Sequence, residues 1–247
     1  MRNTLLLAAA LLPLAATAQK TTKVVVKQTN PWSHETYYVL QEDNKVKHGP
    51  YLKERTGPPT MPVLAGSYKQ GQRDSTWVEY GWNGRPQGTG QYRNDQKTGV
   101  WSYYAFGDTL EQRYNHSTRI LEFARIRPAD QRKQYTIVEG TNSRQVTLDR
   151  PPLYIGGQQA MNQAVATSVQ YPPQALRNRT GGEVLIEFLV DEQGRASGHR
   201  VKSGIGLGCD EEALEAVQQL PAEWLPGMLA GQPVAALMEV PVKFRIR

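Results

Sequence analysis

The chain has 247 residues, 29 Lys and Arg against 23 Asp and Glu, a formal net charge of +6, and a single cysteine. That length buries a real core in one or two domains, and an ordinary charged fraction of 21% with 9% aromatics excludes a disordered chain. One cysteine excludes a disulfide framework and any Cys-based zinc site, and no apolar run reaches the roughly 18–20 residues of a membrane-spanning helix.

The N-terminus reads as an export signal. Arg2 supplies a positive start, Leu5 to Ala15 an apolar centre interrupted by Pro13, and Ala16-Thr17-Ala18 a small-x-small cleavage site. Cleavage would leave Gln19 as the first residue of an exported, periplasmic protein without a membrane anchor, residues 1–18 being the signal peptide. Beyond it the charge divides. Gln19 to Pro152 carries 20 basic and 13 acidic residues, whereas Leu153 to Arg247 carries 8 basic and 10 acidic. Four of the five Trp and nine of the twelve Tyr lie between Trp32 and Tyr114. Two regions of different chemistry imply two domains.

Residues 19–118 repeat themselves. Gly66-Ser67-Tyr68 returns as Gly90-Gln91-Tyr92, Trp77 as Trp101, and Tyr80 as Tyr104, all at an offset of 24; Gly71 and Asp95 occupy one turn position. A weaker copy, Lys47-His48-Gly49-Pro50-Tyr51, parallels Lys97-Thr98-Gly99-Val100-Trp101. Each unit reads as a strand, a polar turn and a second strand ending in aromatics, and such hairpins must stack into an antiparallel sheet to bury a face. The pattern over residues 46 to 115 resembles MORN-like repeats, including those of bacterial antitoxin-type repeat proteins. Two readings stand: a sheet that binds a protein, a lipid headgroup or a glycan, or a sheet whose Trp and Tyr residues are simply its core. The basic excess would attract an anionic envelope surface, and the export signal argues against nucleic acid as a partner.

Residues 119–152 read as a connector broken by Pro128 and by Asp149-Arg150-Pro151-Pro152. Gln134 to Glu139 and Arg144 to Leu148 are each candidates for a short strand that completes or tethers the repeat sheet.

In residues 153–247 the periodicity is plainer. Ala160, Met161, Ala164, Val165 and Val169 fall at helical spacing, and Tyr171-Pro172-Pro173 stops the helix. Val184, Ile186, Phe188 and Val190 alternate, Asp191 to Gly194 turns, and Arg195 to Ser203 returns. Asp210 is placed to cap a second helix with the stripe Ala213, Leu214, Val217 and Leu220. Val234 to Ile246 alternates without a break. Pro241 in that last strand cannot donate to a ladder, which suits a sheet edge. The expected fold class is α+β: an α-β-β-α-β domain on an antiparallel sheet, preceded by an all-β sheet of hairpins.

Catalytic chemistry does not assemble. His34, His48, His116 and His199 have no ligand spacing and read as solvent-facing. Cys209 precedes Asp210, Glu211 and Glu212, whose charge raises a thiol pKa. Gly204-Ile205-Gly206-Leu207-Gly208 has the wrong spacing for a dinucleotide loop and reads as a flexible connection. No enzyme activity, cofactor or metal is expected.

The C-terminal residues resemble the TonB C-terminal domain of Bacteroidota-type proteins. The likeness rests on Tyr154-Ile155-Gly156-Gly157, Ala160-Met161, Gln170-Tyr171-Pro172 with Ala175, Gly182-Glu183-Val184 and Val190-Asp191. It continues through Gly194, Val201, Ser203, Asp210, Ala213, Pro221, Trp224-Leu225-Pro226-Gly227, Gly231, Pro233-Val234 and Pro241-Val242-Lys243-Phe244. Trp224 reads most simply as a packing anchor. The resemblance implies a periplasmic domain of energy transducers in transmembrane transport, gripping a short extended peptide, the TonB box, of an outer-membrane receptor or adaptor. Strand addition would be the mode, with Val240, Val242 and Phe244 as the edge and Gln170, Tyr171 and Pro172 beside the peptide. The same edge would allow a homodimer. This chain differs from a transducer in carrying a cleavable signal instead of a retained anchor, and a repeat sheet instead of a proline-rich spacer. The alternative function is a structural cell-envelope module acting through the repeat sheet. A proline at Val242, removing an edge donor, is the natural test of strand addition.

Overall fold

A computed structural model of the chain describes residues 19–29, 32–106, 108–221 and 223–246. The expected signal peptide, 1–18, lies outside the described residues.

The first half is one meander. Strands β1 (Thr21–Thr29), β2 (Trp32–Leu40), β3 (Lys47–Arg55), β4 (Met61–Lys69), β5 (Gln72–Tyr80), β6 (Pro86–Arg93), β7 (Gln96–Ala105), β8 (Thr109–Asn115) and β9 (Ile120–Ala124) pair antiparallel in sequence order. The physical unit behind the 24-residue offset is a tryptophan laid over a glycine of the preceding strand. An added Cβ at Gly66 would sit 2.1 Å from the Trp77 ring, and one at Gly90 would sit 2.4 Å from the Trp101 ring. Glycine is therefore required there by space, and the two indoles are fully buried. The Trp77 Nε1–H donates to the Ser67 carbonyl, and 24 residues later the Trp101 Nε1–H donates to the Gln91 carbonyl, both at 3.1 Å. Tyr68 meets Trp77 edge-on, and Tyr92 likewise meets Trp101, with centroids 5.3 Å apart in each pair. Such pairs add about 0.5–1.5 kcal/mol each beyond area burial. Arg73 lies 5.2 Å over the Trp77 ring and Lys97 lies 4.1 Å over the Trp101 ring, so part of the basic excess is held against the aromatic row.

The second half begins with helix α1 (Pro128–Arg132), the hairpin β10 (Gln134–Glu139) and β11 (Asn142–Thr147), and the short β12 (Leu153–Tyr154). Next come α2 (Gly157–Ser168), α3 (Pro173–Arg177), β13 (Gly182–Val190), β14 (Ala196–Ser203) and α4 (Cys209–Gln218). The short β15 (Trp224–Leu225), β16 (Gly227–Leu229) and β17 (Gln232–Val234) lead into β18 (Ala236–Phe244). The second sheet runs β11-β10-β18-β13-β14. The fold is α+β, a large sheet of hairpins followed by a smaller sheet with helices. Residues 119–152 serve both sheets: β9 closes the meander, while the β10–β11 hairpin joins the second sheet.

Val184, Ile186, Phe188 and Val190 turn inward as their alternation predicts, and with Val240, Val242 and Phe244 they form a core against Met161 and Val165 of α2 and Ala213, Ala216 and Val217 of α4. Trp224 packs between Phe188 (5.1 Å) and Tyr154 (5.4 Å), an anchor as expected. The opposite face carries charge. Glu187 is 4% exposed and accepts from Arg200 and Lys202; Lys202 and Lys133 also pair with Glu239. Burial disfavours the Glu187 charge, but those donors outweigh it and hold its carboxyl below the usual range.

Asp210 departs from the expected capping role. The residue preceding α4 is Gly208 in the left-handed region, with no side-chain cap. The Asp210 carboxylate turns back to accept from the backbone N–H of Ile205 (2.8 Å) and Gly206 (3.1 Å), pinning the loop that the glycine content had suggested was flexible.

The two sheets meet at α2. Gly156, preceding α2, offers no side-chain cap, and the helix takes its acceptors from β8. Glu111 accepts from the N–H of Gln158 (2.9 Å) and Gln159 (3.3 Å). The buried Gln112 amide accepts from Gly156 N–H (2.7 Å) and donates to the Tyr154 carbonyl (3.2 Å). Ile155 and Leu225 pack on the aromatic core of the first sheet.

Candidate functional site

The last strand forms because alternate residues from Ala236 to Phe244 are apolar and find β13 beside them in unbroken register, from Val190↔Ala236 to Gly182↔Phe244. On its other side β18 is only begun by β10, at Ile137↔Ala236, with the Val138 N–H donating to the Ala235 carbonyl at 2.9 Å. Past that point no strand among the described residues pairs with this side of β18.

That single bond sets which residues face outward. Backbone groups alternate sides along a strand, so if Ala235 points to β10, then Leu237, Glu239, Pro241 and Lys243 share its side. Val240, Val242 and Phe244 direct their N–H and C=O groups to β13, and their side chains are buried in the core. The open side therefore offers both backbone groups of Glu239 and Lys243 and the carbonyl of Pro241. β18 is not the edge strand that Pro241 suggested, since it lies between β10 and β13, but Pro241 falls beyond the short β10 pairing, where its missing N–H removes no ladder bond. The expectation for Val242 needs correction: a proline there would break the β13–β18 ladder, because the Val242 N–H faces inward.

A groove runs along this open side. Its first part, about 300 Å³, lies between α2 (Asn162, Val165, Ala166, Val169) and β18 (Val240 to Lys243). It continues into a hollow of about 460 Å³ lined by Val169, Tyr171 and residues Lys243 to Ile246. The Tyr171 hydroxyl donates to the Thr180 carbonyl at 2.6 Å, and its ring meets Phe244 edge-on at 5.5 Å, which fixes it as a wall. Lys243 and Arg245 are exposed, and Lys243 has only a loose ion pair with Glu183, 3.7 Å away across the ladder.

Of the six residues singled out in the sequence, Tyr171, Val240, Val242 and Phe244 line this groove. Gln170 and Pro172 do not. The Gln170 N–H donates to Glu212 (3.2 Å), and Pro172 lies against Gly208, so both face α4. Sequence reasoning missed the α2 wall. Val165 and Val169 belong to the stripe read as core and serve core and groove together, whereas Asn162 and Ala166 lie outside that stripe on the exposed flank of the helix. Lys243 and Arg245 are the polar positions between the apolar ones of this strand, and Ile246 ends its apolar alternation, so no periodicity marks the three as groove residues.

The arrangement can hold an extended backbone, with Lys243 donating and accepting, Pro241 accepting, and apolar side chains seated on α2. Among the described residues no group of three or more His, Cys, Asp or Glu could hold a metal. Cys209 is buried, and burial first, then Asp210, Glu211 and Glu212, push its thiol up. Two histidines differ from the solvent-facing expectation. His199 stacks on Phe188 (4.6 Å), and His116 packs edge-on to Tyr114 (4.9 Å) with Nε2 2.8 Å from the Tyr103 hydroxyl.

Among the described residues no helix is long and apolar enough to cross a membrane. No curated protein and no solved structure matches the chain. A family match exists for the part of the chain that carries the groove's β18 side, beginning at the last turn of α2, so that Asn162, Val165 and Ala166 fall just outside it. Residues 167–246 match the family model for the Gram-negative bacterial TonB protein C-terminal, so this part of the chain, about a third of its length, is similar to that domain.

Proposed function

We propose that this protein docks an extended peptide, of the TonB-box kind, from an outer-membrane receptor or adaptor, as a strand added to β18 in support of TonB-dependent transport in the periplasm. The observation that carries the reading is the open side of β18 beyond Ala236, lying against an apolar-walled groove. Strand addition satisfies edge backbone groups directly and leaves specificity to alternate side chains. On this chain those side chains would meet Ala166 and Val169 on one side of the peptide. The exposed Lys243 and Arg245 favour an acidic residue near the end of β18. The rival reading, a binding surface made of the repeat-sheet aromatics, loses Trp77 and Trp101, which are fully buried, and would rest on exposed aromatics such as Trp32 and Trp82.

The test is capture of solubilised outer-membrane proteins on the immobilised full chain, with and without excess TonB-box peptide. Receptors should be captured and then competed away. Lys243→Pro removes an outward N–H and leaves the inner ladder whole, so it should abolish competed capture without lowering the melting temperature. Unchanged capture by a folded Lys243→Pro protein would remove strand addition as the mode.

A further inference from the structure

The two edges of the nine-stranded sheet are not alike. β9 is five residues long and its pairing with β8 carries a register shift, so that edge is short and irregular. β1 is nine residues long, contains no proline, and pairs with β2 in unbroken register from Thr21↔Leu40 to Thr29↔Trp32. Each of the other pairings in this sheet carries a shift. Among the described residues no strand pairs with the outer side of β1. Natural edges are blunted by shortness, bulges or proline, and β1 has none of the three.

Two bonds fix which backbone groups of β1 point outward. The Gln41 N–H donates to the Lys20 carbonyl at 3.0 Å, and the Thr56 N–H donates to the Trp32 carbonyl at 3.1 Å. Lys20 therefore faces β2 and Trp32 faces β3, so the even-numbered residues of β1 bond to β2. Thr21, Lys23, Val25, Lys27 and Thr29 turn both backbone groups outward. Lys23, Val25 and Lys27 are exposed and share one face of the strand. On β2, Tyr38 and His34 stand opposite the two lysines, with Leu40, Thr36 and Trp32 diagonal to them, so neither lysine meets a carboxylate there. On the other face Val24 and Val26 are half-buried, with Val24 opposite Tyr37.

We propose that β1 takes up an extended acidic segment of a partner protein as an additional antiparallel strand. The segment reads acidic, apolar, apolar, apolar, acidic, set against Lys27 to Lys23. Its carboxylates meet the two lysines, its apolar residues meet Val24, Val25 and Val26, and its backbone meets the outward groups of Lys23, Val25 and Lys27. Charge selects this occupant over a second copy of the chain. Antiparallel self-pairing centred on Val25 sets Lys23 opposite Lys27 of the second copy, and sliding by two residues leaves lysines diagonal to one another. The site stands on the first sheet, apart from the groove on β18.

The test is NMR titration of the full chain with the peptide Thr-Glu-Val-Val-Val-Glu-Thr, and with the same peptide bearing Lys in place of Glu. The acidic peptide should shift the backbone amides of Lys23, Val25 and Lys27, and the basic one should not. Val25→Pro removes an outward N–H and no bond to β2, so it should weaken binding about tenfold. Lys243→Pro should leave this binding unchanged, which separates it from docking on β18. The double variant Lys23→Glu with Lys27→Glu should lose the acidic peptide and gain the basic one. The inference is overturned if the acidic peptide leaves those amides unmoved, if the basic peptide binds the wild-type chain as well, or if Val25→Pro has no effect. Should the wild type bind no acidic peptide while Lys23→Thr with Lys27→Thr self-associates, the lysines only guard the edge and the inference falls.

Discussion

Removing the Glu111 carboxylate should loosen the start of a helix that lies 47 residues further along the chain. Helix α2 begins at Gly157 after a glycine with no side chain to offer, and Glu111 of β8 accepts from the second and third helical N–H groups, at 2.9 and 3.3 Å. These are the donors that an N-cap side chain normally satisfies, so Glu111 caps the helix from another sheet. Loss of a cap costs about 1 kcal/mol, within roughly 0.5–2. Loss of negative charge at a helix N-terminus costs a further ~0.3–1 kcal/mol. Glu111→Ala should therefore destabilise by about 2 kcal/mol, which for a chain of this length lowers the melting temperature by about 4–8 °C. Glu111→Gln keeps an acceptor and loses the charge, so it should cost about half as much. Thermal unfolding followed by circular dichroism gives the first number. Amide hydrogen exchange gives the location, with Gln158 and Gln159 losing protection before the centre of α2. If Glu111→Ala melts like wild type, or if those two amides exchange at the wild-type rate, the helix is capped by water and the reasoning fails.

Three further outcomes are expected. Gly90→Ala pushes a methyl group to within 2.4 Å of the Trp101 ring and should cost about 1–3 kcal/mol in denaturant unfolding. Thr89→Ala, one residue away, should cost well under that, and equal costs would contradict the ring-over-glycine packing. Val242→Pro should lower domain stability far more than Lys243→Pro, since only the former breaks the β13–β18 ladder; the reverse order would invert the assignment of outward groups. Burial, and then the Lys97 ammonium, push the His116 imidazole down from its ordinary 6.5 to about 4. Its folded value lies below its unfolded one, so the unfolded chain takes up a proton first. The contribution of His116 is thus whole above pH about 6.5 and fades as pH falls towards about 4. His116→Gln should flatten the melting-temperature profile in that window, and a profile of unchanged slope would show that other groups set it.

Elements with their own periodicity were legible. Val184 to Val190 reads as a strand because one face is wholly buried, and burial of one face is what alternation encodes. The 24-residue offset was also visible, although its cause lies across strands, where Trp77 needs Gly66 beneath it. Placement was harder. The β10–β11 hairpin has no local mark that sends it to the second sheet, and a single pair, Ile137↔Ala236, attaches it to β18. Asp210 was misread because a left-handed Gly208 already ends the loop, freeing the carboxylate to turn back. The side of β18 that faces outward followed from one bond at Ala235, which no alternation of side chains reports. Glu111 and Gln112 meet α2 across more than forty residues, a distance at which pattern is silent.

The repeating pair of strands also sets a length scale. Neighbouring strands lie about 4.8 Å apart, so each 24-residue unit advances the meander by only about 10 Å, whereas the same residues in an extended chain would reach about 80 Å. Nine strands give about 38 Å from first to last, roughly a nanometre more or less for each unit gained or lost. A chain built this way exchanges span for stiffness. Because Glu111 and Gln112 stand on β8, next to the far end of the meander, units could be added at the β1 end without disturbing the helix they hold. The distance from the β1 edge to the groove is then adjustable in fixed steps, as on a ruler whose zero is the start of α2.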